Sequence, residues 1–148
     1  MNLSIELLTP ARVLDLRSKL EPLLKQACEG NPIAAMTQNA DNILHLAQTD
    51  QAVIFVGFDS GRVSTVLALQ FIMVGGRKGA EIIAMSGRNL IQFKNAFWKP
   101  ILDWLRANSV EFMDAYAPPR LADLYLTKFG FDQSCTMVRM TLAGGQDE

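Results

Sequence analysis

Two clusters of glycine and arginine, GGRKGA at 75–80 and SGRN at 86–89, are where residue types and spacing could hold a phosphate. Free backbone N–H groups at the start of a helix hold such an anion, the helix dipole reinforces them, and an arginine can pair with it. GGRKGA lies between two strongly apolar stretches of strand type with no helix after it, so it reads as a hairpin turn. SGRN leaves a strand and enters a helix. The backbone from Met85 through Ser86, Gly87, Arg88 and Asn89 to Leu90 could grip an anion there, with Arg88 helping. In the competing reading Gly87 only turns the chain and Ser86 or Asn89 only caps the helix. The local pattern leaves both open.

Proton chemistry is confined to a few groups. The single histidine, His45, points away from the apolar stripe of its helix and reads as a surface residue. Tyr116 and Tyr125 are the only tyrosines, so a phenolic acid must be one of them. Tyr125 shares a helix face with Leu121 and Leu124, which also suits core packing. Asp114 stands on one strand face with Phe112 and Tyr116. Desolvation there would raise its proton affinity, as a general base requires, whereas a place at the sheet end would leave it solvated. Glu81 follows the hairpin turn closely, a position that suits an exposed strand-start residue as well as a proton acceptor. Cys28 and Cys135 follow no metal or redox spacing and read as buried reduced thiols, so no metal site is expected.

The elements that must position these groups follow from periodicity and caps. Leu3, Ile5 and Leu7 alternate with Ser4 and Glu6, a first strand. Thr9 as N-cap and Pro10 at the first helical position open a helix to about Cys28. Its stripe is Val13, Leu16, Leu20, Leu23, Leu24 and Ala27; Pro22 should kink or split it, and Gly30 ends it. A second helix spans about 39–48 with Ala40, Ile43, Leu44 and Ala47 inward. Strands are expected at 52–58, 62–74 and 80–85, the first two joined by a DSG hairpin. The helix after SGRN buries Leu90, Phe93, Phe97, Ile101, Trp104 and Leu105, with Pro100 bending it. A strand at 110–117, a short helix in PPRLADLYLTKFG closing at Gly130, and a last strand in FDQSCTMVRMTL complete the order. AGGQDE (143–148) is a flexible tail. The result is a mixed α/β (α+β) chain, β-α-α-β-β-β-α-β-α-β-β around one central, mostly antiparallel sheet.

Bulk properties narrow the function classes. The 148 residues fit a single domain, 1–148, able to bury a real core. A net charge of −1 gives no electrostatic case for nucleic acid. The start, MNLSIELLTP, has no basic region and does not read as a signal peptide. The longest apolar stretch, VSTVLALQFIMV, is too short and too polar to span a bilayer. A cytoplasmic location is expected.

The element order, together with RLADLYLTKFGFDQSCTMVRMTL, resembles the GNAT superfamily of acyl-CoA-dependent N-acyltransferases. Ala122, Lys128 and the Gly130-Phe131 pair carry the likeness. The resemblance implies acetyl-CoA as cosubstrate and an amine as acceptor. It implies a thioester carbonyl polarised by a backbone N–H at a bulge in the fourth strand, and pyrophosphate at SGRN. Asp114 or Glu81 would take the amine proton, and Tyr116 or Tyr125 would serve the departing thiolate. Several positions depart from the family pattern. With its loop motif registered on Gly87, Ala84 and Asn89 stand at the flanking positions and only the glycine matches. Pro119 replaces an asparagine at the end of the fifth strand. Leu126 replaces the tyrosine, leaving Tyr125 about 100° away around the helix.

Divergent proteins of this kind are familiar from bacteriophage genomes, some as virion components. The resemblance therefore also admits a non-catalytic scaffold with a protein partner, as a homo-oligomer or in a virion assembly inside the host. The catalytic reading predicts a V-shaped opening between the fourth and fifth strands. The scaffold reading predicts one filled by Met85, Phe112 or Tyr116, and an exposed Trp98 would mark a protein contact.

Overall fold

A computed structural model describes residues 1–31 and 38–133, with Val138, Met140 and Leu142 beyond them. β1 (Leu3–Leu7) is followed by α1 (Pro10–Glu29) and α2 (Ala40–Gln48). β2 (Ala52–Asp59), β3 (Arg62–Val74) and β4 (Arg77–Gly87) form a meander. α3 (Leu90–Ala107), β5 (Phe112–Ala115) and α4 (Pro119–Lys128) follow. The five strands lie in chain order in one sheet. All neighbours are antiparallel except β4 and β5, which α3 joins as a parallel pair. The expected last strand at 131–142 and the tail fall largely outside the described residues; Phe131–Gln133 are not strand.

Local chemistry sets the boundaries. The Thr9 hydroxyl accepts from the Arg12 amide at 3.2 Å, and Pro10 needs no donor in the first turn. α1 continues through Pro22 and stops at Gly30. Asn39 caps α2 by accepting from the Asn42 amide at 2.8 Å. The β2–β3 connection is the turn at Ser60–Gly61, and β3 meets β4 through Gly75–Gly76, with φ of 58° and 78°. Both positive angles suit glycine and give the twist of a tight hairpin, so GGRKGA is a turn leading into a strand. β4 starts at Arg77, three residues earlier than expected. Glu81 is consequently inside the strand and half-buried, not an exposed strand start.

The core lies on both faces of the sheet. α1 and α2 cover one with Leu20, Leu24, Ile43 and Leu44, packed on Ile54, Val56, Val66 and Ala68. α3 and α4 cover the other with Ile101, Leu105 and Tyr125, joined by Phe129 just past α4, packed on Phe55, Leu67, Leu69 and Ile82. Two irregularities bend the sheet near SGRN. Ser64 has no counterpart in β2, because Gly57 pairs with Thr65 and Phe58 with Val63. Ile83 has none in β3, because Ala84 pairs with Ala68 and Ile82 with Leu69. Such bulges strengthen local twist and recur beside active sites.

Candidate functional site: the opening between β4 and β5

The parallel pair is short. Gly79–Ile82 match Phe112–Ala115, and there the pairing ends. β4 runs on from Ile83 to Gly87, and among the described residues this stretch has no strand partner on the β5 side. β5 is half the length read from the sequence. Pro118 and Pro119 have no N–H to extend a ladder, and Pro119 instead starts α4. Beyond Ile82 and Ala115, among the described residues, only β4 continues as strand, unpaired on that side, and the bulge at Ile83 falls on the arm that continues. Tyr116, just past the end of β5, is 43% exposed. Phe112 lies at the opposite end of the pair, where its ring occupies the space beside Gly79.

SGRN forms the end of the β4 arm, and its groups are differently employed than the sequence suggests. The Ser86 hydroxyl donates to the Leu23 carbonyl of α1. Gly87 has φ of 129°, and a Cβ there would stand 2.3 Å from the Ser64 carbonyl oxygen. Only glycine fits so close to β3 at that angle. The Arg88 amide donates to the same Ser64 carbonyl at 2.9 Å. The bulge at Ser64 thus takes up one amide of the turn.

The free donors lie one turn further on. Asn89 occupies the N-cap with φ of 61° and makes no side-chain cap; its Nδ2 donates instead to Asp59 at 3.3 Å. Phe93 is the first helical amide with a partner, Asn89 O at 2.9 Å. Among the described residues, nothing accepts from the amides of Leu90, Ile91 or Gln92. Arg88 is exposed and has no ion pair among the described residues. Three unpartnered amides and a guanidinium at a helix start fit an anion such as a pyrophosphate. Leu90 and Arg88 were legible as candidates; Ile91 and Gln92 were not, because the capping state of Asn89 decides their freedom.

On the α1 face the carboxylates meet. Glu81 and Asp114 are paired in register on adjacent strands, both half-buried. Burial, and second the charge of Asp114, hold the Glu81 carboxyl above its ordinary value. The pair abuts the point of divergence, one residue short of its last rung.

Of the tyrosines, Tyr125 is buried against Phe129 and Phe131 on the other face, and desolvation raises its phenol far above the usual range. Met85 faces an apolar cavity of about 40 Å³ beneath α3, lined also by Leu90, Phe93, Lys94, Trp98 and Phe129. That is room for a few waters and far below a ligand pocket. Trp98 is half-buried and its Nε1 donates to the Phe129 carbonyl at 3.2 Å, which closes α3 onto the end of α4. His45 is exposed on α2. Cys28 is buried, which pushes its thiol up, and Cys135 lies outside the described residues. Among the described residues no His, Cys, Asp and Glu cluster could hold a metal, and no helix is long and apolar enough to cross a membrane.

No protein-family model matches the sequence, and no curated protein matches it. The structure is similar to solved acetyltransferases over nearly its whole length. An aminoglycoside acetyltransferase from an uncultured soil metagenomic sample superposes with a TM-score of 0.68 at 14% identity, covering 97% of this chain and 100% of that one. A GCN5-related N-acetyltransferase from Ralstonia eutropha JMP134 gives 0.67 at 11%, covering 95% and 99%. A predicted acetyltransferase from Clostridium acetobutylicum, solved with acetyl-CoA, gives 0.66 at 10%, covering 95% and 97%. A short parallel pair past which β4 runs on alone, a bulged fourth strand and a helix start with free amides thus occur in a chain with the fold of the GCN5-related N-acetyltransferases.

Proposed function

We propose that this chain is an acetyl-CoA-dependent N-acetyltransferase acting on an amine. The observation that carries this reading is the helix start at Leu90–Gln92, unpartnered and beside both Arg88 and the unpaired edge of β4. Those amides and Arg88 would hold the pyrophosphate, and the Ile83–Gly87 backbone would orient the pantetheine arm. When bound, acetyl-CoA supplies an acetyl thioester, whose carbonyl carbon bonds the amine nitrogen as its carbon–sulfur bond breaks. Backbone N–H groups at the Ile83 bulge would polarise the carbonyl oxygen. Glu81, with Asp114 beside it, takes the proton that the amine must lose. A raised carboxyl is suited to accept it near neutral pH and to pass it to water. Tyr116, exposed at the opening, is better placed than the buried Tyr125 to give a proton to the leaving sulfur.

A second reading is a non-catalytic scaffold, of the type the resemblance implies for phage particles. It is favoured by the placement of Tyr125 in the core and of the Ser86 hydroxyl on α1. Thermal unfolding with acetyl-CoA separates the two. Ligand at about 100 times its dissociation constant adds about 2.7 kcal/mol, or roughly 5–10 °C for a domain of this size. Arg88→Ala is expected to weaken that binding about tenfold, the loss of one charge-assisted contact. No shift of the wild type at millimolar acetyl-CoA would discard the enzyme reading in favour of the scaffold.

A further inference from the structure

We infer that α1 is a strut between the two arms of the β4–β5 opening and that Asn31 is the positioning residue at its far end. One helix is bonded to both arms. At Leu23 its carbonyl accepts from the Ser86 hydroxyl on the continuing β4 arm. Just past its last turn, Asn31 Nδ2 donates to the Tyr116 carbonyl at 2.8 Å, immediately after β5 ends. Asn31 is itself 8% exposed, and its amide donates to the Cys28 carbonyl at 3.3 Å, so it is fixed to the helix. Between the two ties the helix is seated by Leu24 and Cys28, both in the core of that face. The Ser86 tie joins α1 to a strand that stays paired with β3, Val66 opposite Ser86, whereas the Tyr116 tie lies past the last rung between β4 and β5. Beyond that rung, among the described residues, the chain leaving β5 has no ladder to hold it, so its spacing from the β4 arm depends on α1. A strut of this kind keeps the opening at one width in the free protein, which lowers the ordering cost of binding.

The functional half of this inference rests on the cofactor reading above; the mechanical half does not. Amide hydrogen exchange of the free protein tests the mechanical half. In Asn31→Ala, and in the isosteric Asn31→Asp should the first fold poorly, amides at 113–117 are expected to exchange at least tenfold faster. Those of Ile54–Val56 in the sheet centre should be unchanged. Uniform acceleration would mean a general loss of stability, and no acceleration would mean no strut; either overturns the inference. Titration with acetyl-CoA tests the functional half. Asn31→Ala and Ser86→Ala should each weaken binding about tenfold, and the double variant little more, because losing either tie frees the strut. Additive losses overturn the shared strut. Wild-type binding that Asn31→Ala leaves intact overturns the positioning role. If the wild type itself binds no acetyl-CoA, the cofactor reading fails, while local acceleration by exchange would still uphold the strut.

Discussion

Glu81 shows how a single residue's surroundings set its chemistry. Its carboxyl is raised first by burial and second by the facing Asp114. An acid whose folded value exceeds its unfolded one leaves the native state holding more protons between the two values. Stability then falls as pH rises through that interval, beginning near the ordinary carboxylate value. Glu81→Gln should match the wild type in melting temperature near pH 4 and exceed it at pH 7. The same variant should lower kcat by about 10²–10⁴-fold if Glu81 is the proton acceptor. A stabilised variant with undiminished turnover would remove it from that role. Tyr125 gives the contrasting case. Its ring is packed in the core and, among the described residues, its hydroxyl has no partner. Tyr125→Phe is expected to change stability by less than about 0.5 kcal/mol, and Tyr125→Ala to cost about 3–5 kcal/mol, as urea denaturation would read. Both residues could be singled out from sequence. The sequence left Tyr125 open between core and site, since a tyrosine beside Leu121 and Leu124 suits either. The neighbour that raises Glu81 is 33 positions away and is set by strand register, which no local pattern encodes.

At the scale of elements, boundaries with a local chemical cause were legible. Thr9-Pro10, Asn39 and the Gly75–Gly76 turn fall where caps and turn chemistry place them. Boundaries set by a neighbour were not. Residues 110–117 alternate like a strand, yet only Phe112–Ala115 pair, because β4 and β5 part there. β4 likewise extends to both sides of the apolar run at 80–85, because β3 is long enough to pair with all of it. Gly87 marks the place where element packing and site coincide. Its positive φ and the overlap a Cβ would make with Ser64 and Thr65 predict that Gly87→Ala costs at least about 1–3 kcal/mol. Because Arg88 is bonded to the same Ser64 carbonyl, the start of α3 should shift as well. If the helix start holds acetyl-CoA as proposed, its affinity should fall along with stability, and an unaltered denaturation midpoint would show that β3 can yield.

For the molecule as a whole, the sheet separates two apolar layers, each with its own pair of helices. Layers packed on opposite faces of a sheet are about 10 Å from it, beyond the reach of direct coupling. Leu24→Ala on one face and Ile101→Ala on the other should each cost about 2–5 kcal/mol, and their sum should hold within about 0.5 kcal/mol. A clear departure from that sum would mean that the layers communicate through the strands. The hairpin at Gly75–Gly76 stands at the far end of β4 from Gly87. Eleven residues of strand set it about 35 Å from Gly87 and the helix start, and about 17 Å from Glu81. Side chains added at either glycine would meet nothing within 4 Å. That makes the hairpin a natural handle: a fluorophore, an affinity peptide or a surface tether spliced between these two glycines would report on the protein, or hold it, without touching the end of the sheet where the strands part.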